Sequence, residues 1–375
     1  MPQSGIREIF DKAQQYDNLA DLSIGEPDFT TAAPIANTVG DAIGDGISSY
    51  TPTIGRADLR TALAEKLATE NGININPDEE LLVTPGAMGA LFTAMQVLFD
   101  PGDEVLVPEP YWPNYHGHLV SAGAELIPVP TTAADRFVPN SDALAAAASE
   151  DTVGVILNTP NNPTGAVIPP NQLRAIGTVL VEEDLWAVVD ETYEDLLYDD
   201  AVHYSLASNE SIFERCVTVH SFSKSYAMTG WRIGYVSGPE SVVSAMRVLQ
   251  EHTISCVPEP AQIAAMAALD NRTVVNDIHD VFTDRRELIL ERLEAISGVK
   301  PGRPRGAFYV FADISDISSD SRAFVETLLD EAQVAAIPGS VFGDTGEGHI
   351  RFSYATDEAT IEKAMDRFEQ AVDGR

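Results

Sequence analysis

Apolar and polar positions fall in blocks along the first two thirds of the chain. Runs rich in Val, Leu, Ile and aromatic residues occupy positions 81–84, 104–107, 125–129, 153–157, 185–189, 216–220 and 231–236, with helical patterns between them. Several of these runs are apolar throughout, as in Val153-Gly-Val-Ile-Leu157 and Leu185-Trp-Ala-Val-Val189. A strand with one wet face alternates in polarity, whereas a strand covered by helices on both faces does not. The pattern therefore predicts an α/β unit on a mostly parallel, seven-stranded sheet.

The rhythm changes after a long helical pattern over about 273–296. Residues 306–313, 334–337 and 349–354 then read as strands, 321–331 as a helix, and a last helix begins near Asp357. This predicts a smaller α+β domain. The alanine run from Ala143 to Ala148 reads as an ordinary helix. Residues 1–31, with Ser23-Ile-Gly-Glu-Pro-Asp-Phe29, read as an N-terminal arm and small-domain segment, 32–279 as the large domain and 280–375 as the C-terminal small domain.

A chain of 375 residues, 44% of them apolar, is long enough for this division at roughly 150 residues per domain. Residues 1–10 lack a basic start leading into an apolar run, and no stretch reaches the roughly 18 apolar residues of a membrane span. A soluble, cytoplasmic protein without membrane partners is the expectation. Cys216 and Cys256 are the only cysteines and have no CxxC spacing, so neither disulfides nor a metal site is expected.

Charge narrows the partners further. Against 58 acidic residues there are 23 basic ones, only five of them lysines, and the net charge is −35. Phosphate backbones would be repelled, which argues against nucleic acid. The carboxylates are spread over periodic segments and so describe a folded surface rather than a tail. Such a surface suits a cytoplasm with molar salt, where the Debye length falls to about 3 Å at 1 M and mutual repulsion is screened. A halophilic protein is the expectation.

With so few lysines, the setting of Lys224 stands out: Ser221-Phe-Ser-Lys224-Ser-Tyr-Ala-Met-Thr-Gly-Trp-Arg232. A lysine amine captures carbonyls when burial or nearby cations lower its pKa, and an arginine eight residues on can hold an anionic handle. In a parallel sheet the ligand crevice lies at the carboxyl ends of the strands. The run 153–157 is followed by Asn158-Thr-Pro-Asn-Asn-Pro-Thr-Gly165, the run 185–189 by Asp190 and Tyr193, and the run 216–220 by Ser221, Ser223 and Lys224. Each alone has an ordinary reading: Asp190 as a helix cap, Tyr193 as core, the proline-rich stretch as a turn. Together they gather a carboxylate, a phenol, carboxamides, hydroxyls and an amine at one sheet edge. Pyridoxal phosphate needs such a set, with a carboxylate for its ring nitrogen, donors for its 3-hydroxyl, partners for its phosphate and a lysine for its aldehyde.

In these motifs the sequence resembles the class I, fold-type I pyridoxal-phosphate aminotransferases, and within them the bacterial-type aspartate aminotransferase subgroup. Asn-Asn-Pro-Thr-Gly, Asp-Glu-x-Tyr, Ser-Phe-Ser-Lys followed by Gly-Trp-Arg-Ile-Gly-Tyr, and His-Ile-Arg351-Phe-Ser-Tyr-Ala occur in the family's order from about Ser23 to Tyr354. The resemblance implies that residues 32–279 bind the cofactor and that Lys224 is joined to its aldehyde and then carries the proton between Cα and C4′. It implies Asp190 at the pyridinium nitrogen, and Tyr193 and Asn162 at the 3-oxygen. Ser221, Ser223 and Arg232 would hold the phosphate with the backbone of Gly86-Ala87-Met88 at a helix N-terminus, and Trp112 would stack on the ring. Tyr50 matches a tyrosine that reaches the phosphate of a neighbouring subunit, which implies a homodimer with shared active sites. Arg351 would grip the substrate α-carboxylate, supported by the Gly25 backbone, with Asn162 and Trp112 also in contact with the substrate.

One position departs from the pattern. Aspartate-specific members of the subgroup carry Gly-Gly-Lys where this chain has Gly86-Ala87-Met88, and that lysine helps bind the substrate's distal carboxylate. A thioether there cannot, and it is compatible with apolar or aromatic donors. The expected activity is ping-pong transfer of an amino group between an L-amino acid and a 2-oxo acid. The alternatives left by the residues are a pyridoxal-phosphate C–S lyase and, in another class, a cofactor-binding regulator. A nicotinamide dehydrogenase is disfavoured because no strand is followed by GxGxxG.

Overall fold

The structure, a computed structural model, describes residues 5–374, so the first four residues of the expected N-terminal arm lie outside it. After a helix over Gly5–Ala13 comes a short strand, β1 (Ala20–Asp21). The seven apolar runs then become β2 (Leu81–Thr84), β3 (Glu104–Glu109), β4 (Glu125–Pro130), β5 (Thr152–Asn158), β6 (Trp186–Asp190), β7 (Cys216–Ser221) and β8 (Gly234–Ser237). They form one sheet in the order β2-β8-β7-β6-β5-β3-β4. Only β8 runs against its neighbours, pairing antiparallel with β2 and β7, and the other pairs are parallel.

The continuous apolar runs have the predicted cause. Val155 and Leu157 of β5 enter one buried cluster with the helices Ala33–Gly44, Pro170–Glu182 and Glu259–Leu269, while Ile156 enters another on the opposite face with Gly86–Leu98 and Glu240–Thr253. Successive side chains on a strand point to opposite faces, so both sets are removed from water, at about 1.5–3 kcal/mol for each fully buried Val, Leu or Ile.

The C-terminal strands are β9 (Lys300–Pro301), β10 (Tyr309–Asp313), β11 (Val334–Ala335), β12 (Ile337–Pro338) and β13 (His349–Ser353). Four of them make an antiparallel sheet in the order β12-β13-β10-β9. β11 instead pairs with β1, and Ile9, Ala20 and Leu22 join Phe308, Phe352 and Phe368 in a third core. The N-terminal segment thus packs on the C-terminal elements. The 23-residue helix Thr273–Ala295 bridges the two regions, giving Val275 to a large-sheet core and Phe282 and Leu293 to the C-terminal one.

Three expected boundaries shift. The run 231–236 enters the sheet only at Gly234, because Thr229–Trp231 form a 3-10 turn and Arg232 takes a left-handed backbone with φ 51°. The run 334–337 is two strands, split at Ala336, that serve different sheets. The run 306–313 joins its sheet at Tyr309, since Ala307 has φ 59° and its amide bonds to Leu196 O at 3.0 Å.

Candidate active site

Every ligand-type side chain named from the sequence except Tyr50 converges at the carboxyl ends of β5, β6 and β7. A cavity of about 240 Å³ there is lined by Lys224, Asp190, Tyr193, Asn162, Ser221, Ser223, Arg232, Trp112, Ala87, Met88, Gly25 and Arg351. Gly86 sits just behind this lining. It opens the helix Gly86–Leu98 with φ 73°, and a Cβ there would fall 2.6 Å from Arg232 Nη2, so the close approach of the arginine needs glycine. Tyr50 lies outside the cavity and is 91% exposed.

Lys224 Nζ donates to Gly25 O at 2.6 Å. Burial pushes its ammonium down to about 8; Glu26 opposes that shift, while Arg232 and Arg351 add to it. Gly25 itself is fixed by crowding, since a Cβ would meet Tyr309 Oη at 2.2 Å.

Asp190 ends β6 and is buried. It caps no helix. Its Oδ2 accepts from Tyr115 Oη at 2.8 Å and its Oδ1 from the Thr192 amide at 3.1 Å. Burial raises the carboxyl above its ordinary value, and the bonds from Thr192 and Tyr115 oppose the rise. No arginine or lysine pairs with it among the described residues.

Arg351 is 1% exposed and likewise has no carboxylate partner among the described residues. Nη1 donates to Asn162 Oδ1 at 2.9 Å and Nη2 to Ser23 O at 2.6 Å, while buried Nε is unbonded. The guanidinium lies over the Tyr309 ring at 4.4 Å. Burial works against its charge, partly offset by Tyr309 and Tyr193. Asn162 therefore spends its oxygen on Arg351 and keeps its amide NH2 for the cavity. Tyr193 Oη pairs with Tyr309 Oη at 2.9 Å, and burial, then Tyr309, hold the Tyr193 phenol protonated, well above its ordinary value.

Ser221 Oγ accepts from the Ser223 amide at 3.0 Å, and Arg232 Nη1 donates to Thr229 O at 2.8 Å. Two arginines, a lysine and a helix N-terminus thus face one space. Trp112 forms a wall, edge-on to Tyr115 with ring centres 5.4 Å apart. Met88 also lies on the cavity, 37% exposed, with Asn114 Nδ2 at 3.6 Å from its sulfur.

Tyr115, Thr192, Tyr309 and Ser23 were not singled out in the sequence. Tyr115 follows Trp112 by three residues, but nothing in Pro-Tyr-Trp-Pro-Asn-Tyr marks its phenol as a carboxylate partner. Ser23 acts through its carbonyl, which no side-chain pattern encodes. Arg351 turns to that carbonyl, whereas Gly25 gives its own to Lys224.

Behind β6, Glu191, Glu194 and His203 bring ligand atoms within 4.8 Å of one another. That cluster already contains a cation: Lys66 Nζ donates to Glu194 Oε1 at 2.6 Å and to Asn71 Oδ1 at 2.8 Å. Burial opposes the charge of Glu194, but Lys66 and then His220 hold its carboxyl well below the usual range. The cluster is a neutralised buried network.

Known proteins are similar to this chain in sequence and fold. Residues 17–368 match the family described as aminotransferase class I and II. The chain is 40% identical to an aspartate aminotransferase of Pyrococcus abyssi over 98% of this chain and 95% of that one, and 39% identical to aromatic-amino-acid aminotransferase 2 of Thermococcus litoralis with the same coverage. The structure of the Thermus thermophilus aspartate aminotransferase with maleate superposes with a TM-score of 0.94 at 39% identity, covering 99% of this chain and 97% of that one.

Proposed function

The chain belongs to the class I and II aminotransferases and is a pyridoxal-phosphate-dependent transaminase; from that premise we propose how its residues divide the work. The activity is ping-pong transfer of the amino group between an L-amino acid and a 2-oxo acid, and family membership favours it over the lyase and regulator readings.

The cavity's donor set suits the cofactor. Asp190 is a buried carboxyl with no Lys or Arg ion pair among the described residues, Arg232 is drawn against Gly86 at the start of a helix, and Lys224 is an amine whose ammonium burial destabilises. Asp190 would hold the pyridinium proton, Tyr193 and the Asn162 amide the 3-oxygen, and Ser221, Ser223, Arg232 and the backbone of Gly86, Ala87 and Met88 the phosphate. Trp112 would cover the ring. When bound, the cofactor supplies an aldehyde for the amino group and an electron sink for the pair left at the substrate Cα. Lys224 would hold the cofactor until the substrate amine replaces it, and the freed neutral amine would then take the proton from Cα and deliver it to C4′. Arg351 fixes the α-carboxylate, so that the Cα proton is presented to Lys224.

The observation that carries this reading is Arg351, a buried guanidinium with no carboxylate partner among the described residues, in the same cavity as Lys224 and Asp190. An uncompensated buried charge is costly, and a substrate carboxylate compensates it. The test is a panel of amino acids scored for conversion of the bound cofactor to its pyridoxamine form. A protein that converts none of them is no transaminase.

For the donor, Met88 supports apolar or aromatic amino acids. The cations lining the cavity among the described residues are Lys224, Arg232 and Arg351, which leaves none for a distal carboxylate. The relatives divide between aspartate and aromatic names. Partner contacts also enter the proposal. Exposed Tyr50, Val248 and Ile254 lie on adjoining segments, joined by the bonds of Thr51 to Val257 and Gln250 to Thr53, and such a face suits a homodimer in which Tyr50 reaches the partner's phosphate site. No helix among the described residues is long and apolar enough to cross a membrane. The −35 charge supports a cytoplasmic enzyme working in high salt. The proposed division into 32–279 and 280–375 falls within the bridging helix Thr273–Ala295.

A further inference from the structure

A second cavity, of about 310 Å³, opens between residues 133–138 and 164–169 on one side and residues 300–313 with His349 on the other, and it shares no lining residue with the catalytic one. Its floor is apolar. Phe137 meets Phe311 edge-on with ring centres 5.6 Å apart, and Val167 and Pro301 continue the surface.

Its lining is also basic, in a chain that has little basic charge to place. Four of the 23 Lys and Arg residues line it, Arg136, Lys300, Arg303 and Arg305, against one carboxylate, Asp313. Arg136 has no carboxylate partner among the described residues. The other three are paired with acids: Lys300 with Asp316 and, at 3.9 Å, with Asp313 in the lining; Arg303 with Glu287 and, at 3.9 Å, with Asp199; Arg305 with Asp200. Asp316 and Asp200 are more than half exposed, so those pairs are weak and readily exchanged for another anion, whereas Glu287 is shared with buried Arg286. Cations around an apolar floor fit a ligand with an anionic head and an apolar body.

We propose that this cavity binds a small monocarboxylate with an apolar body, bridging the loops above the large sheet and the edge of the C-terminal sheet. The carboxylate takes Arg136 and displaces exposed Asp200 from Arg305, and the body lies between Phe137 and Val167.

The probe is 4-fluorophenylacetate, which has neither amino nor oxo group to react, followed by fluorine NMR on the holoenzyme at fixed salt. Binding that a saturating amino donor does not displace reports the second cavity. Wild type is expected to show it. Arg136→Glu, which reverses the unpaired charge, and Val167→Trp, which fills the space, are each expected to weaken it at least tenfold with amino transfer unchanged. Absence of undisplaced binding in wild type overturns the proposal. So does retention by either variant, since Arg136→Glu removes its charge basis and Val167→Trp its volume.

Discussion

Arg351 Nη1 donates to Asn162 Oδ1 at 2.9 Å across 189 residues of sequence. The bond joins the C-terminal sheet to the turn after β5, and together with Ser23 O it fixes a buried guanidinium that lines the cavity. A charge-assisted hydrogen bond contributes about 1.5–3 kcal/mol, roughly 10- to 150-fold. Arg351→Lys keeps the charge but loses the two-pronged geometry, and kcat/KM for amino acids should fall by about that factor. Steady-state kinetics with amino acids and with amines lacking the carboxylate measure it. An equal loss for both substrate sets would remove the α-carboxylate from Arg351.

Lys224→Ala should fold, since the side chain donates one hydrogen bond, to Gly25 O, and should lose both amino transfer and the visible absorption of linked cofactor. The lysine also sets a pH dependence. Its folded-state value of about 8 lies below the ordinary one, so the reactive neutral amine appears as pH rises through 8. Uptake of pyridoxal phosphate by apoenzyme should accelerate up to about pH 8 and then level off. A rate that keeps climbing to pH 10 would mean an ordinary lysine.

Much of this was legible in the sequence because strand ends and ligand positions coincide in an α/β sheet. Asp190 and Ser221 close β6 and β7, and Lys224 follows three residues later, so locating the apolar runs located the chemistry. What escaped was of two kinds. The strand-like composition of Gly-Trp-Arg-Ile-Gly-Tyr places Arg232 in a strand, yet its left-handed backbone carries it out of the ladder and against Gly86. Tyr115 and Ser23 act through contacts with Asp190 and Arg351 that exist only after folding, across 75 and 328 residues.

Tyr115 allows that second kind to be measured. Its phenol is one of two donors to Asp190, and both oppose the rise that burial imposes on the carboxyl. Tyr115→Phe should therefore raise the Asp190 carboxyl further and weaken its hold on a protonated ring. At about 0.5–1.5 kcal/mol for a net hydrogen bond, a roughly 2- to 13-fold loss in kcat and in cofactor affinity is expected. Cofactor dissociation measured beside turnover distinguishes positioning from mere packing. Unchanged values for both would leave Tyr115 with packing alone.

The net charge of −35 predicts a melting temperature that climbs with potassium chloride. Repulsion among surface carboxylates acts over about 30 Å at 0.01 M salt and only about 3 Å at 1 M, so the compact state gains as salt rises. Thermal unfolding and light scattering across that range should show stabilisation and retention of the proposed dimer together. A melting temperature that does not move from millimolar to molar salt would dismiss the halophilic reading.

Met88 carries the prediction on specificity. It lies on the cavity wall beside Asn114, and the guanidinium and ammonium groups lining the cavity are those of Arg351, Arg232 and Lys224. Under the roles proposed above, these are committed to the α-carboxylate, the phosphate and the proton transfer, so an aspartate side chain would enter without a cation of its own. Desolvating that carboxylate unpaired costs what a charge-assisted bond would otherwise return, about 1.5–3 kcal/mol. Leucine, methionine or phenylalanine pays no such penalty against a polarizable thioether. Met88→Lys should therefore raise kcat/KM for aspartate relative to these donors by roughly 10- to 150-fold, read from single-turnover rates on the same preparation. A wild type that already prefers aspartate by more than about a hundredfold would place another group at the distal carboxylate, and with exposed Tyr50 expected to reach a neighbouring site, the partner subunit would be the place to look for it.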